Sequence, residues 1–203
     1  MRRTEVLEID PKDPQGAVLK YCAEVIRRGG LVVFPTETVY GIAANYLDKK
    51  AIGRLYKVKE RSRTKPFTVH VAEIAAIKRM GCKIGKEAKA LMNKFWPGPL
   101  TIILKSKTGA SIGFRMPANR VALGLIRKAA VPVAAPSANL GGNKAPVSAQ
   151  EALRDLDGKA DIVIDAGPSE IGIESTVVDM TVVPPRVLRE GAISAQELMR
   201  WAT

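Results

Sequence analysis

The sequence is poor in cysteine, histidine and aromatic residues, and each shortage disfavours a class of protein. It has two cysteines, one histidine, two tryptophans, four tyrosines and four phenylalanines in 203 residues. Cys22 and Cys82 form neither a close pair nor a CxxC motif, so we predict core thiols rather than a disulfide or metal ligands. So few aromatic side chains do not provide the base-stacking surface of an RNA-recognition module.

Long apolar runs are also missing. No run approaches the roughly 18 residues that a membrane span needs, and the first ten residues lack the apolar core of a signal peptide. We therefore expect a cytoplasmic protein without a membrane partner. A chain of 203 residues with 46% hydrophobic residues supports one sizeable core and is short for two domains. Residues 1–203 are expected to form a single domain.

Several familiar nucleotide-binding and catalytic motifs do not occur. The chain has no GxxxxGK[ST] loop and no GxGxxG fingerprint, so a phosphate site would be built in another way. It has no HxxxH motif and no cluster of cysteine and histidine for zinc, so no metal site is predicted. His70 and a serine could suggest a hydrolase, but no GxSxG motif is present. A polar strand residue is the favoured interpretation of His70 from this pattern alone.

Basic residues are abundant by contrast. The chain has 32 lysines and arginines against 20 acidic residues, a net charge of +12. An anionic partner is implied, and a nucleotide, a nucleic acid or an acidic lipid would each satisfy it. The basic residues concentrate between 49 and 65 and between 78 and 94. From 57 to 65 a cation occupies every second position, so an extended segment would point several to one side. They either converge on one anion or form a solvated basic loop.

Strand and helix patterns alternate along most of the chain. Asp13 and Pro14 are predicted to begin the first helix, which Gly29 and Gly30 end. Several late connections are too short for crossovers, which predicts an α/β fold with a mixed sheet. The predicted strands cover 4–9, 31–34, 67–71, 100–104, 113–117, 131–135, 161–165, 177–179 and 186–189. The later predicted helices cover 49–59, 73–80, 86–95 and 120–129, and capping boxes at 148–151 and 194–197 open two more.

Hydroxyl and amide side chains cluster after two of the predicted strands, in segments 35–41 and 136–142. Ligands of open α/β sheets bind at strand ends, where glycine-containing loops let backbone donors approach them. The alternative for 35–41 is a turn whose threonines satisfy local backbone groups. Arg115 lies in an apolar segment, so it is either half of a structural ion pair or a ligand contact.

Seven motifs are spread over nearly the whole chain: FPTETVYGIAA (34–44), KERSRTKPFTVHV (59–71), WPGPLTIIL (96–104), FRMP (114–117), APSANLGG (135–142), IESTVVD (173–179) and VLREGAI (187–193). In this order they resemble the YrdC/TsaC family, the threonylcarbamoyl-adenylate synthases of tRNA modification. Two positions depart from the family's usual proline, Ser62 and Glu190. Either could alter loop stiffness, and neither removes a functional side chain.

The resemblance implies a nucleotidyltransferase that combines L-threonine, bicarbonate and ATP into threonylcarbamoyl-AMP and pyrophosphate. ATP is then a substrate, and Mg²⁺ is carried with the nucleotide. A threonylcarbamoyl-transferase partner enzyme would move the group to the tRNA adenosine next to the anticodon. The implied fold is the family's YrdC-like twisted open α/β sheet with flanking helices, in the short form without a further carboxyl-terminal domain.

The site residues implied by the resemblance fall into two groups. Lys59 and Arg61 of the KxR motif would be catalytic and would bind ATP together with Ser137, Asn139 and Arg189. Threonine would be bound by Thr36, Tyr40, His70, Arg115 and Ser175. Fixed cations suit this chemistry, because carboxylate, carbamate and triphosphate gather negative charge. The competing interpretation is a basic RNA-binding module without catalysis, which the net charge alone suits equally well.

Overall fold

The computed structural model describes residues 3–201, so the outermost two residues at each end of the predicted 1–203 domain lie outside it. Ten strands and seven helices occur in this described part. The strands are β1 (Glu5–Glu8), β2 (Val32–Phe34), β3 (Gly41–Asn45), β4 (Val69–His70), β5 (Leu100–Lys105), β6 (Ser111–Arg115), β7 (Val133–Ala134), β8 (Ile162–Asp165), β9 (Thr176–Asp179) and β10 (Arg186–Arg189). The helices are α1 (Gly16–Arg27), α2 (Lys49–Val58), α3 (Ala75–Arg79), α4 (Lys86–Phe95), α5 (Arg120–Ala129), α6 (Ala149–Leu156) and α7 (Ala195–Met199).

The strands form one open mixed sheet in the order β1-β8-β2-β3-β7-β4-β6-β5-β9-β10. Parallel pairs are β1 with β8, β8 with β2, β4 with β6, and β5 with β9. The other neighbours are antiparallel. The predicted α/β class with a mixed sheet is confirmed. Short hairpins such as β5–β6 supply the antiparallel pairs, because a parallel connection needs a longer crossover.

Helices cover both faces of the sheet at its first half. Alternate residues of β2 point to opposite faces, so Val32 and Phe34 pack in a core with α1 and α5. Val33 packs on the other side against α2 and α6. A third core lies between β5 and α4. The all-apolar β2 is fully buried, as a strand covered on both faces should be.

Both cysteines are buried and free, as predicted. Burial raises the pKa of the Cys22 thiol to about 12, so it stays protonated and packs as a small apolar side chain. Across residues 3–201, every helix is too short or too polar to cross a bilayer.

Two local expectations were wrong, and one strand was missed. Asp13 does not cap α1, which begins at Gly16 after Gln15 and has no side-chain cap. Strand β3 was not anticipated, because its sequence GIAAN reads as the end of the preceding turn. Helix α2 ends at Val58, one residue before its predicted end, but residues 60–65 are not extended, since Glu60 has a φ of 49° and a turn follows. The alternating cations therefore point in different directions.

Candidate active site

A cavity of about 440 Å³ opens between the strand-end segments and the faces of β5, β6 and β9. A bridge between Gly41 and Ser137 joins segments 35–41 and 136–142, and the Ala138 amide donates to the Tyr40 carbonyl at 2.8 Å. These contacts bring together motifs that lie almost 100 residues apart in sequence. Eight of the ten predicted site residues line the cavity: Thr36, Tyr40, Arg61, His70, Arg115, Ser137, Ser175 and Arg189.

Arg115 is the buried cation of the cavity. Its Nη2 lies 2.9 Å from Oε1 of Glu37, and both side chains are about 5% exposed or less. The two groups lie at ion-pair distance without hydrogen-bond alignment, so within residues 3–201 neither Glu37 oxygen nor Nη2 of Arg115 has a hydrogen bond. Nε of Arg115 donates to the Gly98 carbonyl at 3.3 Å. Both interpretations left open by the sequence therefore hold, because Arg115 forms an ion pair and also lines the cavity.

His70 lies next to Arg115 across the β4–β6 pairing. Burial, and secondarily the Arg115 charge, lower the pKa of His70 well below 6.5, so the ring is neutral at physiological pH. Its Nδ1 has no hydrogen-bond partner within residues 3–201. The ring edge packs against Phe34, with centroids 6.1 Å apart. A buried ring nitrogen without a partner is ready to bind a ligand group.

Arg189 and Ser175 also line the cavity. Nη1 of Arg189 pairs with Glu174 at 2.8 Å, while Nε and Nη2 donate to the Ser175 carbonyl at 3.1 and 2.9 Å. The Ser175 hydroxyl lies 2.9 Å from the Thr101 hydroxyl. This network fixes one guanidinium and two hydroxyl groups at the cavity surface.

The hydroxyl groups of Thr36 and Tyr40 already have hydrogen-bond partners, one local and one distant in sequence. The Thr36 hydroxyl donates to the Val39 carbonyl at 2.6 Å and lies 2.9 Å from the Thr38 hydroxyl. The Tyr40 hydroxyl donates to the Gly167 carbonyl at 2.6 Å, and burial raises its pKa to about 12. Thr36 thus satisfies a local backbone group, as the alternative interpretation of segment 35–41 states, although both residues line the cavity.

Arg61 is held on the turn that follows α2. Its Nε donates to the Lys65 carbonyl at 3.0 Å and its Nη2 to the Pro66 carbonyl at 3.3 Å, and its guanidinium carbon lies 5.4 Å from the centre of the Phe67 ring. The remaining donors of this planar group are available to an anion in the cavity. Arg63 lies instead over the ring of Tyr56 at 6.0 Å and does not line the cavity.

Lys59 and Asn139 lie behind the cavity and do not line it. The buried ammonium of Lys59 donates to the Ser137 carbonyl at 2.6 Å, to the Asn139 carbonyl, and to Oδ1 of Asn139 at 3.1 Å. The Gly141 amide donates back to the Lys59 carbonyl at 3.0 Å. A Cβ at Gly141 would lie 2.9 Å from that carbonyl oxygen, so only glycine fits. Lys59 therefore holds segment 136–142 in the shape that presents Ser137.

Burial, and then repulsion by Arg61, lower the pKa of Lys59 from 10.5 to about 8. Between about pH 8 and the unfolded pKa near 10.4, the unfolded chain binds the extra proton, so this residue's contribution to stability increases with pH. We expect the unfolding free energy of the wild type to rise relative to that of Lys59→Met by about 1 kcal/mol per pH unit in this range. Urea unfolding at pH 8, 9 and 10 measures both slopes, and parallel slopes would contradict the pKa shift.

Several polar residues of the cavity region were missed from the sequence, among them Glu37, Thr101 and Lys65. Glu37, the partner of Arg115, lies inside a matched motif, and a buried arginine's need for a counter-charge was the available signal. Thr101 lies in the motif 96–104 but on a strand that looked apolar. Lys65 lines the cavity, although only Lys59 and Arg61 were chosen from the basic segment.

Comparison with known proteins places these residues in a family context. The Sua5/YciO/YrdC family profile, described as telomere recombination, matches residues 24–191. The threonylcarbamoyl-AMP synthase of Pyrococcus abyssi is 42% identical over 189 residues, which cover 89% of this chain and 56% of the relative. That of Bacillus subtilis is 38% identical over 201 residues, which cover 94% of this chain and 57% of the relative.

A solved structure of P. abyssi Sua5 in complex with L-threonine superimposes with a TM-score of 0.92 at 37% identity. The match covers 97% of this chain and 60% of that structure. The chain therefore spans a little over half the length of these relatives, and the fold of that part is shared in full.

Proposed function

The chain belongs to the Sua5/YciO/YrdC family, and we propose that it is an L-threonylcarbamoyladenylate synthase that converts L-threonine, bicarbonate and ATP into threonylcarbamoyl-AMP and pyrophosphate. One observation carries the proposal. The cavity brings together eight of the ten residues implied by the motifs, with three guanidinium groups and several fixed hydroxyls facing one space. Residues 1–203 would act in it as one domain.

Threonine would bind at the buried end, beside Arg115 and His70. Arg115 uses one N–H in a hydrogen bond and has an acid on one side only, so it can bind a carboxylate. The hydroxyl pair of Ser175 and Thr101 can satisfy the substrate hydroxyl. L-threonine in the structure of the P. abyssi relative supports this ligand class. Thr36 and Tyr40 would then shape the site through the turn they stabilise.

ATP would bind toward the opening, where Arg61, Ser137 and Arg189 lie. The guanidinium groups would offset the triphosphate charge, and Lys59 with Asn139 would hold the segment that carries Ser137. Residues 3–201 contain no group of three or more His, Cys, Asp or Glu side chains able to hold a metal ion. Mg²⁺ would be bound by the phosphate oxygens of ATP, because Mg²⁺ prefers such oxygen ligands.

The reaction would take place in two steps. The threonine nitrogen bonds to the bicarbonate carbon and water leaves, which gives a carbamate. A carbamate oxygen then bonds to the α-phosphorus as the bond to the β-phosphate oxygen breaks, and pyrophosphate leaves. Charge-bearing donors fixed before reaction stabilise the transition state without reorganising. A partner transferase would then use the adenylate for the tRNA adenosine next to the anticodon.

Substrate dependence tests the proposal. Pyrophosphate release should require threonine and bicarbonate together. Serine lacks the methyl group, a difference worth roughly 1–3 kcal/mol, so its kcat/KM should be about 10- to 200-fold lower. A coupled pyrophosphate assay with each substrate omitted in turn measures both. Release at the full rate with ATP alone would point to a different enzyme.

A further inference from the structure

His70 is a buried titratable group to which the proposed reaction assigns no chemistry beyond contact with threonine. Its side chain is 4% exposed and lines the active-site cavity. Its Nδ1 has no hydrogen-bond partner within residues 3–201. Buried polar atoms are nearly always paired, so an unpaired ring nitrogen beside a cavity indicates a ligand group. A neutral imidazole has one N–H and one lone pair, so it can accept a proton as well as a hydrogen bond.

Carbamate formation needs a group that removes a proton. Threonine is a zwitterion at neutral pH, and its ammonium nitrogen has no lone pair with which to attack the bicarbonate carbon. One proton must therefore leave the nitrogen before the C–N bond forms. Arg61, Arg115 and Arg189 line the same cavity, and nearby cations favour the neutral amine over the ammonium. The cavity thus assists the loss of the proton and still requires an acceptor for it.

Few side chains of the cavity can take this proton. Among its lining residues in the described part of the chain, only His70 and Glu174 carry an imidazole or a carboxylate. Glu174 is paired with a guanidinium at 2.8 Å and is 39% exposed, whereas threonine is placed at the buried end. The Tyr40 hydroxyl donates to a carbonyl, and burial raises its pKa to about 12, so it keeps its proton. Glu37 is held by a buried guanidinium and does not line the cavity.

The surroundings of the ring determine when it can accept a proton. Strand β6 brings Arg115 beside it, and Glu37 lies behind that cation. Phe34 of β2 and Val133 of β7, from two further strands, carry no charge. Burial, and then the charge of Arg115, lower the pKa of His70 in the free protein, so the lone pair is available. A threonine carboxylate on Arg115 and a bicarbonate beside the ring would offset that charge and raise the pKa again, which makes the ring a stronger base once the substrates are bound.

We propose that the unprotonated ring nitrogen of His70 accepts a proton from the threonine ammonium in the first step of the reaction. This inference rests on the proposed function and adds a catalytic residue to it. The ammonium nitrogen gives one proton to the ring and becomes an amine. Its lone pair then forms the C–N bond as the C–OH bond of bicarbonate breaks, and the leaving hydroxide takes a second proton from the nitrogen and departs as water. The carbamate keeps one N–H, and the ring returns its proton to solvent before the next turnover.

Variants that keep a hydrogen-bonding group but cannot take a proton test this role. His70→Asn places an amide near the position of Nδ1 and His70→Gln places one near that of Nε2, so the pair covers both tautomers. At pH 7 we expect kcat/KM for threonine in pyrophosphate release to fall about 100-fold, as expected for loss of a general base. Between pH 6.5 and 8 the ratio of variant to wild-type kcat/KM should rise about tenfold per pH unit, because hydroxide or the free amine in solution replaces the ring. The ratio is compared because Lys59, with a pKa of about 8, titrates in every protein.

Arg61→Ala is the control for the pH profile. Its loss of activity should arise from the uncompensated charge of the phosphates, so its ratio to the wild type should stay constant over the same pH range. A constant ratio for both His70 variants would show that the ring only orients threonine, and it would overturn the inference.

The reverse of the second step separates adenylate chemistry from carbamate formation. Threonylcarbamoyl-AMP is made by the wild type, used at once and mixed with labelled pyrophosphate, and the formation of ATP is followed. This step yields a carbamate and removes no proton from an ammonium, so both His70 variants should form ATP at nearly the wild-type rate. That rate also shows that the fold and the ATP site are intact. An equal loss of ATP formation and of forward activity would indicate a structural or binding role and would overturn the inference.

An added base provides the last readout. Imidazole should raise pyrophosphate release by His70→Ala about tenfold or more, whereas pyrazole, which has the same size and is a far weaker base, should not. Equal effects of the two compounds would show that filling the space is sufficient and would contradict a proton acceptor. Failure of the proposed function would appear in the wild type, as pyrophosphate release without threonine, whereas failure of this inference would appear only in the variants.

Discussion

Replacing Arg61 by alanine should lower kcat/KM for pyrophosphate release by about 30- to 1000-fold, corresponding to roughly 2–4 kcal/mol of lost transition-state stabilisation. Arg61 lines the active-site cavity, and its Nη1 donors remain for an anion because Nε and Nη2 donate to the Lys65 and Pro66 carbonyls. A charge-assisted contact to an enclosed anion is among the strongest in proteins. Lys59→Ala should lower kcat/KM by a similar factor for a different reason. The Ser137 carbonyl and the two Asn139 oxygens lose the ammonium donor that holds segment 136–142 in place. Steady-state kinetics with all three substrates measures both losses.

Lys57 and Arg63 provide the matched controls from the same basic segment. Both are exposed and neither lines the cavity, so their alanine variants should lose well under 1 kcal/mol. Thermal melts of the four proteins separate a loss of fold from a loss of chemistry. Equal and small losses at Lys57, Lys59, Arg61 and Arg63 would show a solvated basic loop and would contradict the proposed site.

The second large effect is expected in stability, at Glu37. Glu37→Gln leaves the Arg115 cation buried without its counter-charge, and removing one partner of a buried pair costs roughly 3–5 kcal/mol. Urea unfolding of the variant measures this loss. We also expect a higher KM for threonine, because Arg115 is no longer held in one position.

Glu174→Gln is the control, because Glu174 pairs with Arg189 at a similar distance on the same cavity. That pair is 39–43% exposed, so its loss should cost about 0–1 kcal/mol. If the two variants unfold at the same urea concentration, burial does not set the strength of the Glu37 pair. A full return of stability in the double variant Glu37→Gln/Arg115→Met would support the uncompensated charge as the cause.

Regular elements with a clear periodic pattern were predictable from the sequence. Helices α4 and α5 and strand β10 have the predicted bounds, since amphipathic spacing and flanking breakers are local signals. Segment 57–65 was not predictable in this way. Its conformation depends on the left-handed Glu60 and on Lys59 binding a segment about 80 residues later, and alternation of charge carries no information about either.

The candidate site likewise has features that local sequence predicts and features that depend on contacts between distant residues. Transfer of the motifs one by one placed eight of its ten candidate residues on the cavity, because each motif carries its own side chains. It could not distinguish Arg61, which lines the cavity, from Lys59, which lies behind it. It also missed Glu37, whose role depends on a pairing between β6 and the turn after β2. Roles of that kind follow from burial and distance, which only the folded chain specifies.

The most direct test of the proposed reaction follows the carbon of bicarbonate. The protein is incubated with ¹³C-bicarbonate, L-threonine and Mg-ATP, and the nucleotide products are examined at once by mass spectrometry. We expect an AMP adduct that contains threonine and one ¹³C atom, formed in equal amount to pyrophosphate and absent when threonine is omitted. Pyrophosphate formed without labelled adduct, or an adduct of threonine and AMP without the label, would contradict it.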